Sequence, residues 1–197
     1  MSHFIETIRI ENGTVPMLNH HQQRMNHTLS HLGERGPFLI KSLLRIPKEA
    51  GKGIFKCRLI YDKDGILDIQ FHPYTIRHIE TFSMVDIGSH SYPYKFEDRA
   101  WINDLVNRSK ADEIIMCQKD RITDASYANL AFFNGKFWVT PKKPLLHGTR
   151  RNLLLQKNIL EEIDLTLHDL HNYSHFKCIN AMMSWEESPI YKVEQIQ

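Results

Sequence analysis

The chain has 197 residues, of which 42% are hydrophobic and 24% are charged, and its formal net charge is +2. This composition excludes disordered, collagen-like and disulfide-scaffold proteins. The near balance of charges also argues against a protein that binds the phosphate backbone of a nucleic acid.

The N-terminal residues alternate and are polar, so neither a signal peptide nor a transit peptide is expected. No run approaches the roughly 20 apolar residues that a membrane-spanning helix needs. Cys57, Cys117 and Cys178 are widely separated and form no CxxC pair, which argues against a zinc ribbon or a disulfide framework. These features predict a reduced, cytoplasmic protein with no membrane partner.

The first elements of the chain are predicted from alternation and from turn residues. An Asn-Gly pair predicts a hairpin that joins strands over 4–10 and 15–18. A helix is predicted over 20–32, with Asn19 as its N-cap and Gln22 completing a capping box. The pattern then predicts a short helix over 38–45 and strands over 56–61, 66–71 and 79–87.

A polar segment without periodicity over 88–94 predicts a domain boundary. It would separate a small N-terminal domain, 1–87, from a larger C-terminal domain, 95–197. In the second domain the patterns predict helices over 96–109 and 150–162 and strands over 113–118, 130–133, 136–139 and 176–179. Helices and strands mixed in both halves indicate an α+β protein.

Common catalytic and metal-binding motifs are missing. His27 and His31 have the i, i+4 spacing of two metal ligands on one helix face. No carboxylate or cysteine accompanies them at ligand spacing, so a solvated helix face is the favoured interpretation and no metal site is predicted. The sequence also contains no GxSxG elbow, no P-loop and no GxGxxG. The residue types alone leave the function open.

Eight short segments in a fixed order narrow the choice. They are IETIR (5–9), HQQR (21–24), YKFEDR (94–99), ADEIIM (111–116), ITDASYANLAFF (122–133), VTP (139–141), LLHGTRR (145–151) and INAMM (179–183). Together they resemble the class IV, or fold type IV, family of pyridoxal phosphate enzymes. That family includes branched-chain and D-amino acid aminotransferases and 4-amino-4-deoxychorismate lyase. The resemblance extends from about residue 4 to residue 190.

The resemblance implies a two-domain α+β fold with a shortened small N-terminal domain, bound pyridoxal 5'-phosphate and a homodimer. The family's Lys-x-x-x-Arg pattern falls on Lys95 and Arg99, and the resemblance implies that both bind the cofactor. Lys95 would hold it covalently and move protons on the substrate. Asp124 lies where the family usually has a Glu beside the ring nitrogen. The alternative for Asp124 is a simple turn residue.

The cofactor phosphate requires cationic groups and backbone donors. The resemblance assigns this role to Arg24 and to Gly148-Thr149-Arg150, at the start of a predicted helix. Many relatives have Thr in place of Arg150. Asn180 is a further candidate, and the alternative for Arg24 is a surface helix arginine.

The choice within the family depends on few residues. Thr7 and the Asn180 segment resemble the lyase, which forms 4-aminobenzoate and pyruvate in folate biosynthesis. Thr7 would assist proton delivery, and Arg9 and Arg58 are candidates for binding the carboxylates of the small-molecule substrate. The alternatives are a class IV aminotransferase acting on an amino acid, and a non-catalytic homodimer that retains the fold. The short start of the chain, Asp124 and Arg150 favour the last.

Overall fold

The computed structural model describes residues 2–33 and 38–197, and the chain divides into two compact units. The first comprises Met1–Ile76 and Tyr94–Asp98, and the second comprises Arg77–Pro93 and Arg99–Gln197. This division differs from the predicted one, because residues 77–87 lie in the second unit and 95–98 in the first. The predicted boundary was placed at a polar loop because the composition changes there. The two units of the structure instead follow the pairing of strands.

The first unit is a three-stranded antiparallel sheet with α-helices packed on it. Its strands are β1 (Phe4–Glu11), β2 (Ile54–Tyr61) and β3 (Ile66–Pro73), in the order β1-β2-β3. Its helices are α1 (Leu18–His31) and α2 (Ile40–Leu43). Met25 and Leu29, one turn apart on α1, are buried with apolar residues of β1 and β2 in one core.

The first unit confirms the predicted strands over 4–10, 56–61 and 66–71 and the helix over 20–32. The second hairpin strand is wrong, because Thr14 makes only a single bridge to Glu11 and α1 begins at Leu18. The capping box is also wrong, since Met17 is the N-cap residue and makes no side-chain cap. The Gln22 side chain instead bonds the backbone of Phe38 and Ile40.

The second unit is a mixed sheet of eight strands. Six follow the order β11-β10-β7-β6-β5-β4, while β8 pairs with β7 and β9 pairs with β8. The strands are β4 (Phe82–Asp86), β5 (Glu113–Gln118), β6 (Arg121–Ala125), β7 (Asn129–Phe133), β8 (Trp138–Pro141), β9 (Leu160–Ile163), β10 (His175–Ile179) and β11 (Ile190–Lys192). The β4–β5 and β8–β9 pairs are parallel.

Two longer helices belong to this unit, α3 (Ala100–Arg108) and α4 (Thr149–Gln156). The predicted helix over 150–162 is too long, because Asn158 takes a left-handed φ of 54° and the chain then enters β9. The mixture of strands and helices confirms the predicted α+β class. No helix within 2–33 or 38–197 is long and apolar enough to cross a membrane.

Candidate active site

A buried polar cluster lies between β1 and α1 in the first unit. Glu6 projects from β1, whereas His21 and Arg24 lie about one turn apart on α1. Glu6 Oε1 accepts a hydrogen bond from Arg24 Nε at 2.8 Å, and Oε2 accepts one from Arg24 Nη2 at 2.5 Å. His21 Nδ1 lies 2.6 Å from the same Oε2. The Glu6 and His21 side chains are fully buried.

Electrostatics define the protonation state of this cluster. Burial raises the pKa of Glu6, but the charge of Arg24 and the hydrogen bonds from His21 and Arg24 outweigh it and bring the pKa to about 2. Burial lowers the pKa of His21, and the charges of Arg24 and Lys95 act in the same direction against the Glu6 contact. A neutral His21 must therefore donate from Nδ1 to the ionised Glu6. Its buried Nε2 has no hydrogen-bond partner in the described part of the chain.

Lys95 lies in the first unit, not in the second, where the sequence placed it. Its carbonyl oxygen accepts a hydrogen bond from the Ile5 N–H at 2.9 Å, and Phe96 forms a bridge with Phe4. These backbone contacts attach the Lys95 segment to the start of β1. The side chain is half-buried, and its charge is among those that act on His21.

The predicted substrate-binding residues lie on β1 and β2. Thr7 is half-buried and directly opposite Arg58 in the antiparallel register. Arg58 Nη2 donates to Glu97 Oε1 at 2.7 Å, and this contact lowers the pKa of Glu97. Arg9 is buried, with Nη2 3.2 Å from Glu11 Oε1. Both arginines therefore already contact a carboxylate of the chain.

An open cavity of about 580 Å³ borders Glu97 in the first unit. Its lining includes His3, whose Nδ1 lies 3.1 Å from Glu97 Oε2. The second carboxylate oxygen of Glu97 thus also has a partner.

In the second unit, Asp124 is the centre of a buried hydrogen-bond network. Its Oδ1 accepts from Asn129 Nδ2 at 2.7 Å and its Oδ2 from the Leu146 N–H at 2.9 Å. Asn129 Nδ2 also donates to the Leu146 carbonyl at 2.8 Å. Burial raises the pKa of Asp124 to about 7, although the bonds from Leu146 and Asn129 and the charge of Arg151 oppose this.

The same network fixes the start of α4. Gly148 is the N-cap residue, and a Cβ added there would lie only 1.9 Å from Asn129 Oδ1. Glycine is therefore required at position 148, where the Asn129 side-chain amide lies against the backbone. Gly148 has no side chain that could cap α4, and the backbone N–H groups of the first helical turn have no partner within the helix. Thr149 is buried, and its Oγ1 has no hydrogen-bond partner among residues 2–33 and 38–197.

Two arginines follow at the start of α4 and differ in their surroundings. Arg150 is half-buried, and its charge contributes to lowering the pKa of Glu186. Arg151 is only 1% exposed. Its Nη2 donates to the Pro141 carbonyl at 2.8 Å and to Glu162 Oε1 at 2.5 Å, which ties α4 to β8 and β9.

Arg99 and Asn180 both contact backbone groups of the second unit. Arg99 Nη2 donates to the Ser126 carbonyl, while the Ser126 N–H donates to Glu113 Oε1 at 3.1 Å. The turn that follows Asp124 is thus fixed from both sides. Asn180 Oδ1 accepts from the Met182 N–H at 2.8 Å, which leaves the amide nitrogen as its donor.

The sequence did not single out Glu6, His21, Asn129 or Arg151. All lie within the quoted segments, and a charged residue within a strand of apolar neighbours, as Glu6 is, was an available signal. Its partners, 15 and 18 residues away, were not apparent from spacing. No three His, Cys, Asp or Glu side chains of the described ranges converge as a metal site would need.

Comparisons with known proteins identify relatives over most of the chain. Residues 95–187 match the family model described as amino-transferase class IV. An uncharacterized protein of Haemophilus influenzae is 35% identical over 181 residues, which cover 90% of this chain and 96% of that one. The structure of a "putative 4-amino-4-deoxychorismate lyase" from Haemophilus somnus is 31% identical, with a TM-score of 0.85 and coverage of 92% of this chain and 97% of that one. A "putative amino-acid aminotransferase" from Mesorhizobium loti shares the fold at 20% identity, with a TM-score of 0.81 and coverage of 93% and 97%.

Proposed function

Because this chain belongs to the class IV aminotransferase family of enzymes, we propose that it is a pyridoxal phosphate-dependent lyase that forms 4-aminobenzoate and pyruvate from 4-amino-4-deoxychorismate. The predicted family, fold type IV and enzyme class are confirmed by these relatives. The lyase reaction, and with it a role in folate biosynthesis, is supported by the 31% identical structure that carries that name.

The second unit has groups that fit pyridoxal phosphate. The uncapped start of α4 offers backbone N–H donors and a positive dipole end, and Thr149 Oγ1 is a buried hydroxyl that lacks a partner in the described ranges. We assign the phosphate to Gly148, Thr149 and Arg150, with Asn180 as an additional donor. Asp124 supplies the negative charge for a protonated ring nitrogen.

The first unit supplies the reactive amine and the groups for the substrate. Lys95 Nζ would hold the cofactor and Arg24 would contact its phosphate. Arg99 is assigned to the positioning of the turn after Asp124, in accordance with its contact to Ser126. Pyridoxal phosphate, when bound, would supply a carbonyl for the substrate amine and an electron sink for the carbon beside it.

Proton transfers are then assigned to two side chains. Lys95 Nζ removes the proton from the ring carbon that bears the amine. The Thr7 hydroxyl delivers a proton toward the departing enolpyruvyl group, which is released as pyruvate. Arg9 and Arg58 orient the two carboxylates of the substrate. The lyase is favoured over an aminotransferase by the resemblance of Thr7 to the threonine of the lyases, and Thr7 lies half-buried opposite Arg58.

The test is to supply the purified protein and pyridoxal phosphate with 4-amino-4-deoxychorismate and to measure 4-aminobenzoate and pyruvate. Lys95→Ala should abolish both products, whereas Thr7→Val should slow their release without loss of the cofactor. Exchange of amino groups between amino acids and keto acids, with no 4-aminobenzoate, would identify an aminotransferase instead. Sedimentation of the protein tests the expected homodimer.

A further inference from the structure

Glu6 and His21 are deeply buried ionisable residues that lie next to Arg24. Neither has a role in the proposed reaction. Both side chains are 0% exposed, and Arg24 is 12% exposed. A carboxylate is placed in such surroundings at a cost unless its charge is matched and its oxygens accept hydrogen bonds. Here Glu6 accepts three, from Arg24 Nε, Arg24 Nη2 and His21 Nδ1.

The two bonds from Arg24 form a side-on fork. A planar guanidinium that donates from Nε and Nη2 to the two oxygens of one carboxylate is fixed in its plane and in its rotation. Its end-on edge, made by Nη1 and Nη2, then faces away from Glu6. The flexible Arg24 side chain is thereby restricted to one orientation before any anion binds.

His21 adds the third donor without adding a charge. Burial lowers the pKa of His21, and the positive charges of Arg24 and Lys95 act in the same direction, so the imidazole donates from Nδ1 as a neutral ring. Among residues 2–33 and 38–197, Arg24 is therefore the charged hydrogen-bond partner of Glu6. A cationic side chain in place of His21 would compete with Arg24 for the carboxylate.

We propose that Glu6 and His21 are positioning residues that hold the Arg24 guanidinium in the orientation that receives the phosphate of the cofactor. This role rests on the proposed binding of pyridoxal phosphate. Arg24 would contact the phosphate itself, whereas the two buried side chains would act only through Arg24.

The first test is a double-mutant cycle in which the dissociation constant of pyridoxal phosphate is measured by equilibrium dialysis. In Glu6→Gln, the amide N–H₂ faces an Arg24 N–H whichever way it is turned, because both Glu6 oxygens accept from Arg24. We expect the dissociation constant to rise about tenfold or more. In an Arg24→Gln background the same Glu6 change should add less than about twofold. Glu49→Gln, at an exposed carboxylate of the first unit, is the matched control.

The affinity for pyridoxal, which lacks the phosphate, distinguishes a positioning role of Glu6 from a general structural role. This affinity should be nearly the same in wild type and Glu6→Gln. An equal loss for both ligands, or independent effects of Glu6→Gln and Arg24→Gln, would overturn the positioning role and leave the proposed function intact. If the wild type binds no pyridoxal phosphate, both fail together.

A second measurement needs no variant. The ¹⁵N chemical shifts of His21 in the wild-type protein should show a protonated Nδ1 and an unprotonated Nε2 at neutral pH. A proton on Nε2 would mean that His21 does not donate to Glu6 as a neutral ring, and would overturn its part in the proposal. This outcome remains readable even if Glu6→Gln does not fold.

Discussion

The surroundings of Asp124 disfavour the charged form of its carboxyl group. The side chain is 4% exposed, and burial raises its pKa from 3.8 to about 7 despite two strong donors. A protonated ring nitrogen beside it would act in the opposite direction, since a cation favours the carboxylate form. The chain without cofactor is therefore strained electrostatically at this residue, and the bound cofactor would relieve that strain.

The first prediction is that the cofactor-free protein loses stability through Asp124 as the pH rises from about 4 to about 7. In this window the folded state binds more protons than the unfolded state, so removing protons favours unfolding. The free-energy difference between wild type and Asp124→Asn should change by on the order of a few kcal/mol across the window. Urea denaturation at several pH values measures it. A difference that does not vary with pH would contradict the raised pKa.

Arg58 leads to a prediction on substrate affinity. A substrate carboxylate must compete with Glu97, whose Oε1 lies 2.7 Å from Arg58 Nη2. Because both side chains are about 29% exposed, the pair is partly screened, and Glu97→Gln should lower KM about two- to fivefold with little change in kcat. Steady-state kinetics with Asp68→Asn as the exposed control decide the matter. An unchanged KM would remove Arg58 from the substrate site.

At the start of α4, the Asn129 side chain lies directly against the backbone of Gly148. Gly148→Ala would place a methyl group 1.9 Å from Asn129 Oδ1 and force Asn129 away from Asp124 and Leu146. We expect a loss of roughly 1–3 kcal/mol in the free energy of unfolding and weaker cofactor binding. Gly51→Ala, where nothing lies within 4 Å, is the control. Equal stability of the two variants would show that Asn129 can move without cost.

The two arginines at the start of α4 are expected to separate binding from stability. Arg151→Ala removes donors from the Pro141 carbonyl and Glu162, and should cost about 1.5–3 kcal/mol of stability. Arg150→Ala should leave the free energy of unfolding almost unchanged but weaken binding of pyridoxal phosphate. Denaturation and dialysis on both variants test the contrast. Similar stability losses would mean that Arg150 is structural as well.

Elements with local signals were predictable. Alternation located β1, β2 and β3, and the Asn-Gly turn appears with φ values of 47° and 75°. The end of α4 was not predictable, because the apolar spacing continues to Ile159 and Leu160 while β9 is formed by parallel pairing with β8. Strand pairing between distant segments overrides local helical periodicity there.

At the scale of the whole molecule, the sequence suggested residues for the candidate site but did not indicate their partners. Asp124 and Lys95 remain predictions from segment resemblance, whereas the contacts of Glu6 with Arg24 and of Asn129 with Leu146 connect separate elements. The assignment of 94–98 to the first unit rests on backbone bonds to β1, which no composition signal reveals.

The last prediction concerns the stability of the whole chain with its cofactor. A ligand that binds only the folded protein adds about 2.7 kcal/mol at one hundred times its dissociation constant. We therefore expect pyridoxal phosphate to raise the unfolding midpoint of the wild type, and pyridoxal at equal concentration to raise it less, because the residues assigned to the phosphate would then have none to bind. Lys95→Ala should retain the advantage of the phosphate form but show a smaller total shift, since the covalent attachment is lost. Thermal unfolding followed by circular dichroism gives all four values. Equal shifts for pyridoxal and pyridoxal phosphate would exclude the phosphate site, and an undiminished shift in Lys95→Ala would show that another residue holds the cofactor.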